Sequence, residues 1–312
     1  MERNQTQVTE FLLLGLGNLH RFRIPMFIIF LTAHIMALTS NILVIVLVVV
    51  NKSLHSPMYF FLSQLSTCEL LFTSNLVPNM LWLILKSGGK VSIGRCIAQF
   101  FLLAVPTITQ CLVLAAMSFD RYVAICKPLH YTIIMTFGHQ RQIVISCWLV
   151  GLTLSFVLYV FLKRLQFCDL NVINHFFCDI PPLVQISCSD TYFMKLLTSL
   201  ISGSVVPFPF MFIVVTYIFI LKAILKIPST TGRKKAFSTC SSHLIVVCTY
   251  YGTLSTVYIL PPRESSVNTN KGLSLLYILV TPLFNPLVYS LRNQDIRAAV
   301  IRSLKMLSLQ KL

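Results

Sequence analysis

Charge is scarce in this chain. Asp, Glu, Lys and Arg together make up 11% of its 312 residues, less than half the roughly 25% of an ordinary soluble protein. A soluble fold of this length needs far more charge to cover its surface. The same shortage excludes disorder, because disordered chains are polar and charged. Acids are scarcer still, 9 against 25 basic residues, for a formal charge of +16. On a soluble protein that charge would suggest nucleic acid. Here the basic residues sit between long apolar runs and form no continuous stripe. Membrane lipid is therefore the expected partner and nucleic acid is not. Linkers, low-complexity tracts and a second domain are also missing. No internal repeat is visible, which argues against transporters built from paired halves. There is no nucleophile–base pair, no His-Glu-x-x-His motif and no phosphate-binding glycine loop. An enzyme is not expected, nor is a cofactor or a metal.

What the chain does have is apolar length, with 56% hydrophobic residues. Seven stretches are long enough to cross a bilayer, which takes about 20 residues as a helix. They run over 24–50, 57–85, 96–119, 142–162, 196–221, 236–262 and 272–291. Six hold no charged residue; the second holds Glu69. None alternates strictly, so a β-barrel is not expected. The first run is too long for a cleaved signal peptide and no small-residue cleavage site follows it. The expected fold is an all-α membrane protein, one seven-helix domain spanning 1–312.

Seven crossings place the termini on opposite sides. With segment 1–23 outside, Lys and Arg divide 14 inside to 11 outside. The local pattern is sharper. Lys222, Lys226, Arg233, Lys234 and Lys235 crowd one loop, and the tail 292–312 carries five more basic residues. The positive-inside rule then puts the N-terminus outside. Asn4-Gln5-Thr6 is a glycosylation sequon that suits that side. The loops are short except the one over 163–195.

Six cysteines, Cys68, Cys111, Cys126, Cys147, Cys240 and Cys248, lie in or beside spans and read as packing. Cys96, Cys168, Cys178 and Cys188 fall on the outer, oxidising side and read as disulfides, with three pairings open. Their ten-residue spacings, with only His175 nearby, do not suit a compact zinc site. An acid inside a span is costly and usually functional. Glu69 shares its depth with Asn41 and Asn285, the latter in a proline-broken stretch, which suggests a polar network between helices. Asp120 and Arg121 close the third span at its inner edge.

The segment Met117-Ser118-Phe119-Asp120-Arg121-Tyr122-Val123-Ala124-Ile125-Cys126-Lys127-Pro128-Leu129-His130-Tyr131 resembles the signature after the third helix of vertebrate olfactory receptors, which are rhodopsin-like G-protein-coupled receptors. Leu54-His55-Ser56-Pro57-Met58-Tyr59-Phe60-Phe61-Leu62 resembles the family's start of helix two. Lys235-Ala236-Phe237-Ser238-Thr239-Cys240-Ser241-Ser242-His243-Leu244 resembles its start of helix six. Pro282-Leu283-Phe284-Asn285-Pro286-Leu287-Val288-Tyr289-Ser290-Leu291-Arg292-Asn293 resembles its end of helix seven. The long outer loop with three cysteines resembles the tetrapod-type (class II) branch. Departures are conservative: Ser118-Phe119 for Ala-Tyr, Tyr250-Tyr251-Gly252 for Phe-Tyr-Gly, and Thr216-Tyr217 for Ser-Tyr.

The resemblance implies several roles. Cys96 pairs with Cys178, and Cys168 with Cys188. Asp120, Arg121, Tyr122, Tyr217, His243, Asn285, Pro286 and Tyr289 belong to the G-protein-coupling switch. Asn41, Glu69 and Gln110 form the polar network behind it. Odorants enter the outer half of the bundle. Helix spacing then supplies candidates: Leu103, Ala104, Thr107, Ile108 and Cys111 on helix three; Ile201, Ser202 and Val205 on helix five; Tyr251, Leu254, Ser255 and Tyr258 on helix six; Leu275 and Ile278 on helix seven. No acid or base is expected in that site, which disfavours an amine ligand. The tail reads as a short amphipathic eighth helix on the inner leaflet, with Ile296, Val300, Leu304 and Leu307 on one face. The implied function is an odorant receptor that binds small, mostly apolar volatiles. It would activate a stimulatory heterotrimeric G protein and raise cyclic AMP at the plasma membrane of olfactory cilia. A transporter or channel would need more charge at depth.

Overall fold

The computed structural model describes residues 8–17, 20–168, 171–258, 267–292 and 296–302; the side chains of 20, 235, 239, 256–258, 267–270, 280, 287 and 289–292 lie outside the description. The membrane-length helices are α1 (Arg23–Val50), α2 (Pro57–Lys86), α3 (Ile93–Cys126), α5 (Phe137–Leu162), the successive pair α7 (Tyr192–Val205) and α8 (Pro207–Leu225), α9 (Thr230–Tyr258) and α10 (Val267–Arg292). Shorter helices are α4 (Tyr131–Ile134), α6 (Ile180–Ile186) and α11 over 296–302. The chain is a seven-helix membrane bundle. Five crossings qualify by length and apolar composition alone: α1, α2, α3, α5 and the α7–α8 stretch. The remaining two, α9 and α10, are 29 and 26 residues long but more polar.

Local chemistry sets the helix ends. Pro57 opens α2 at a position where a missing N–H costs nothing. Ser92 Oγ accepts the Arg95 N–H at 3.4 Å to start α3, and Thr136 Oγ1 accepts the His139 N–H at 3.3 Å to start α5. After α2 the chain turns through Ser87 (φ 56°) and Gly88 (φ 113°). A Cβ on Gly88 would stand 3.0 Å from the Leu13 carbonyl, so this turn needs glycine.

Two features differ from the sequence expectation. The fifth crossing, expected as one run over 196–221, is two helices that meet at Val206. Pro207 accounts for the break: it has no N–H to give to the carbonyl four residues back, that of Gly203. The outer end is not all helical. A small sheet of order β2-β1-β3 joins β1 (Glu10–Leu13), β2 (Gly89–Ser92) and β3 (Val172–Ile173). β1 pairs antiparallel with β2 (Leu12 opposite Lys90) and parallel with β3 (Leu12 opposite Val172). Phe11, Leu13 and Ile173 are buried beneath it.

Disulfides reinforce this cap. Cys96 joins Cys178 with Cα atoms 5.4 Å apart, and Cys168 joins Cys188 at 6.0 Å. These are the pairs implied by the resemblance. Gln99 Oε1 also accepts the Cys178 N–H at 3.0 Å, which holds the long loop over α3.

α3 is the axis of the bundle. In its most apolar window 72% of residues are buried, against 28% for α1 and α5, whose outer faces are lined with exposed Ile, Val and Leu. α5 reaches α3 closely at Gly151. A Cβ there would collide with Thr109 Oγ1 and stand 3.1 Å from the Val105 carbonyl. Gly151→Ala is therefore expected to cost about 1–3 kcal/mol through overpacking. Gly203→Ala, where an added Cβ meets nothing within 4 Å, is expected to cost nothing. Thermal unfolding midpoints of the purified variants check the contrast; equal midpoints would reject it.

Candidate functional site

A cavity of about 260 Å³ lies below the outer cap, between α3, α7 and the start of α6. Phe100, Leu103, Ala104, Thr107, Ile108 and Cys111 form its α3 wall. Ile201, Ser202 and Val205 come from α7, and Leu254 from α9. These positions follow the 3.6-residue period, which puts each set on one helix face. Tyr251, Ser255, Leu275 and Ile278 are outside its lining. The Tyr258 side chain lies outside the described residues.

Two residues that the sequence reading did not place at the site stand behind this wall. Tyr250, fully buried, donates from Oη to the Thr107 carbonyl at 2.7 Å. Tyr277 brings its Oη within 3.4 Å of Thr107 Oγ1 and packs edge-on against Phe72. Together they fill the space between α3, α9 and α10, so α10 does not reach the cavity. Tyr251 donates to the Cys111 carbonyl at 3.2 Å. The sequence signal was the adjacent Tyr250-Tyr251 pair, but helical spacing alone does not separate a filling tyrosine from a lining one.

The expectation that no acid borders the site is corrected. Asp179 lies on its rim, where Oδ1 accepts the Ile180 N–H at 2.8 Å and caps α6. The rest of the lining is apolar except for hydroxyls. Thr107 Oγ1 donates to the Leu103 carbonyl at 2.8 Å, and Ser202 Oγ donates to the Thr198 carbonyl at 2.7 Å. Both protons are spent within their helices, so each oxygen is left as an acceptor for a ligand donor.

Deeper in the bundle is a polar layer. Asn285 Nδ2 donates to Glu69 Oε1 at 2.5 Å, and Gln110 faces the same carboxyl. Asn41 Nδ2 donates to the Pro282 carbonyl at 3.1 Å. Pro286 explains that bond. It has no N–H to give to the carbonyl four residues back, and Asn41 from α1 replaces it. Asn41, Glu69, Gln110 and Asn285 are all buried.

At the inner end Asp120 is fully buried. Arg121 donates to Asp120 Oδ2, with Nε at 2.9 Å, and the Tyr131 hydroxyl of α4 donates to Oδ1 at 2.8 Å. Burial first, and then the Asp120 charge, push the Tyr131 phenol above its usual range. Tyr131 thus completes a cluster in which the sequence reading named only the first two members. Tyr217 of α8 stacks on His243 of α9, with Oη 2.7 Å from Nδ1. Tyr122 is half-buried and meets Phe219 edge-on. Pro286 is buried; the Tyr289 side chain lies outside the described residues. In α11, Ile296 and Ala299 are buried and Arg297 is exposed, while Leu304 and Leu307 lie outside the described residues. Asn4 lies outside them too.

A family model described as Olfactory receptor matches residues 30–307. Olfactory receptor 11L1 of Homo sapiens is 42% identical over 96% of this chain and 92% of its own length. Olfactory receptor-like protein OLF1 of Canis lupus familiaris is 44% identical over 98% of each. Olfactory receptor 5I1 of Homo sapiens is 43% identical over 97% of each.

The outer loop carries a pH signature. Burial, and then the nearby Lys271 ammonium, push the His175 imidazole down to about 4. The unfolded chain therefore binds more protons than the folded one between roughly pH 6.5 and pH 4. Stability is expected to fall as pH drops through that window and to level off below it. Melting temperatures across the window, compared with His175→Phe, check this; identical slopes in both proteins would reject it.

Proposed function

The chain belongs to the olfactory receptor family, and on that premise we propose that it binds small, mostly apolar volatile molecules in the cavity between α3 and α7 and activates a stimulatory heterotrimeric G protein, raising cyclic AMP in the sense of smell. It is a multi-pass membrane receptor, not an enzyme. The N-terminus is extracellular, with Asn4 as its glycan acceptor, and the receptor works in the cilia of olfactory neurons. One observation carries the mechanism: α3 bears both the ligand wall at Thr107 and Cys111 and the Asp120–Arg121 pair. The 13 residue steps from Thr107 to Asp120 span about 20 Å of helix.

α9 supplies the second link. Its Tyr250 and Tyr251 are seated on the α3 carbonyls of Thr107 and Cys111, two residues of the ligand wall. Its inner half is fastened to α8 through His243 and Tyr217. A ligand that favours a different seat for these tyrosines biases the whole helix, and it does so only by its difference in affinity between the two arrangements. Arg121 held by Asp120 is the resting arrangement; released, its guanidinium is a donor for the G protein. The polar layer around Glu69 and Asn285 lies between the two ends.

Arg121→Ala is expected to abolish odorant-driven cyclic AMP while surface delivery, read by an N-terminal epitope on intact cells, is retained. Full coupling in that variant would remove Arg121 from the mechanism. Thr107→Val and Ser202→Ala each remove one hydroxyl acceptor, worth about 0.5–1.5 kcal/mol, or up to about tenfold in potency. The shift is expected for ligands that carry a hydroxyl donor and not for pure hydrocarbons. Unchanged dose–response curves for every active compound would reject the contact. Ion flux without any G protein would favour a channel instead.

A further inference from the structure

Among the described residues, Lys271 is a buried cation with no acidic partner. It continues the inward stripe of α10, in which Lys271, Ser274, Ile278, Thr281 and Asn285 recur every three or four residues and are all buried. Its side chain is 6% exposed. Nζ donates to the neutral, solvent-exposed Asn174 Oδ1 at 2.7 Å and enters no ion pair among the described residues. Asp179, the buried acid of the same loop, caps α6 instead. Buried charges are normally neutralised by a partner, because desolvation is costly.

The residue beside it is also short of a partner. His175 Nε2 lies 3.5 Å from Ser274 Oγ, and either atom can be the donor. Its Nδ1 is enclosed and has no hydrogen-bond partner among the described residues. The rings of Phe176 and Phe177 pack against His175 at 4.6 and 4.5 Å between centroids. The cluster therefore holds two ammonium protons that no described residue accepts, beside an imidazole nitrogen without a partner. Its one acceptor from Asn174 is already used. A donor-rich, acceptor-poor, net positive site asks for an anion, and an unsatisfied buried group is a common mark of an unseen ion or water.

We propose that Asn174, His175, Lys271 and Ser274 form a site for a small anion, either a halide ion or the carboxylate of an organic ligand, at the outer end of the bundle. The site is separate from the apolar cavity, whose lining contains none of the four. A halide there would tie the outer loop to α10. A carboxylate would extend the receptor's ligands to organic acids.

The test uses the purified full-length receptor in lipid nanodiscs at neutral pH and constant ionic strength. Melting temperature is followed while chloride replaces a bulky sulfonate buffer salt, and separately while hexanoate or hexanol is added. At least one anion is expected to give a saturable rise that hexanol does not give. Lys271→Gln keeps a donor for Asn174 and removes the charge, so it should weaken that effect at least tenfold. Lys271→Arg should stay within about threefold of the original. Should Lys271→Gln fail to fold, Ser274→Ala, which frees His175 Nε2, is the second variant and should weaken binding about threefold. A chloride response alone identifies a structural halide; a hexanoate response identifies a carboxylate site. No saturable response to either anion, or an unchanged response in the charge-removing variant, would overturn the proposal. Stabilisation is read without a G protein, so absent odorant signalling would count against the receptor reading alone.

Discussion

Hydrocarbon offers no hydrogen bonds, and the interior of this bundle is organised by that fact. Several polar groups placed between the helices find a partner on a neighbouring helix, and these contacts fix which helices meet. Asn41 answers the carbonyl that Pro286 leaves open, so a helix-breaking proline becomes a joint between α1 and α10. Asn285 answers Glu69 across α2 and α10. Tyr250 and Tyr251 answer α3 carbonyls, although those carbonyls already serve their own helix. Leaving such a group unanswered costs about 1–3 kcal/mol, a large share of a marginal stability.

These joints share a design. Each crosses between helices distant in sequence. They are therefore strong constraints on which helix sits beside which, while contributing little to how firmly the bundle resists lipid. α3 collects several of them. It is anchored outside by Cys96, contacted midway by the tyrosines of α9, and closed inside by Asp120, Arg121 and Tyr131. A change at one end of such a rod is felt at the other without any single wire of contacts.

Much of this was legible in the amino-acid order. The crossings could be read because apolar runs of 20 or more residues have no other use in a chain this poor in charge. Their ends were less legible, because helices such as α3 continue past the lipid boundary on capping residues that hydropathy does not weigh. Pro207 carried the signal for the break in the fifth crossing, yet a long apolar run on both sides masked it. The outer sheet was invisible: four-residue strands pair with segments far away, and pairing at that range leaves little local pattern. Most of the α3 and α7 lining of the outer cavity followed from helix spacing. The tyrosine wall did not, because rotamers decide whether a ring lines a space or fills it. Asn41 and Asn285 were recognisable as polar residues at one depth. That Asn41's partner is a backbone carbonyl was not, since every residue has one.

The central strand of the outer sheet has a consequence for biogenesis. β1 is the first strand among the described residues, but it lies between β2 and β3, and β3 follows it by about 160 residues. At the usual 5–20 residues per second of translation, that interval is on the order of ten to thirty seconds. The leading segment is thus made first and seated late, after four helices have been threaded into the bilayer. Its docking therefore depends on the arrival of the outer loop.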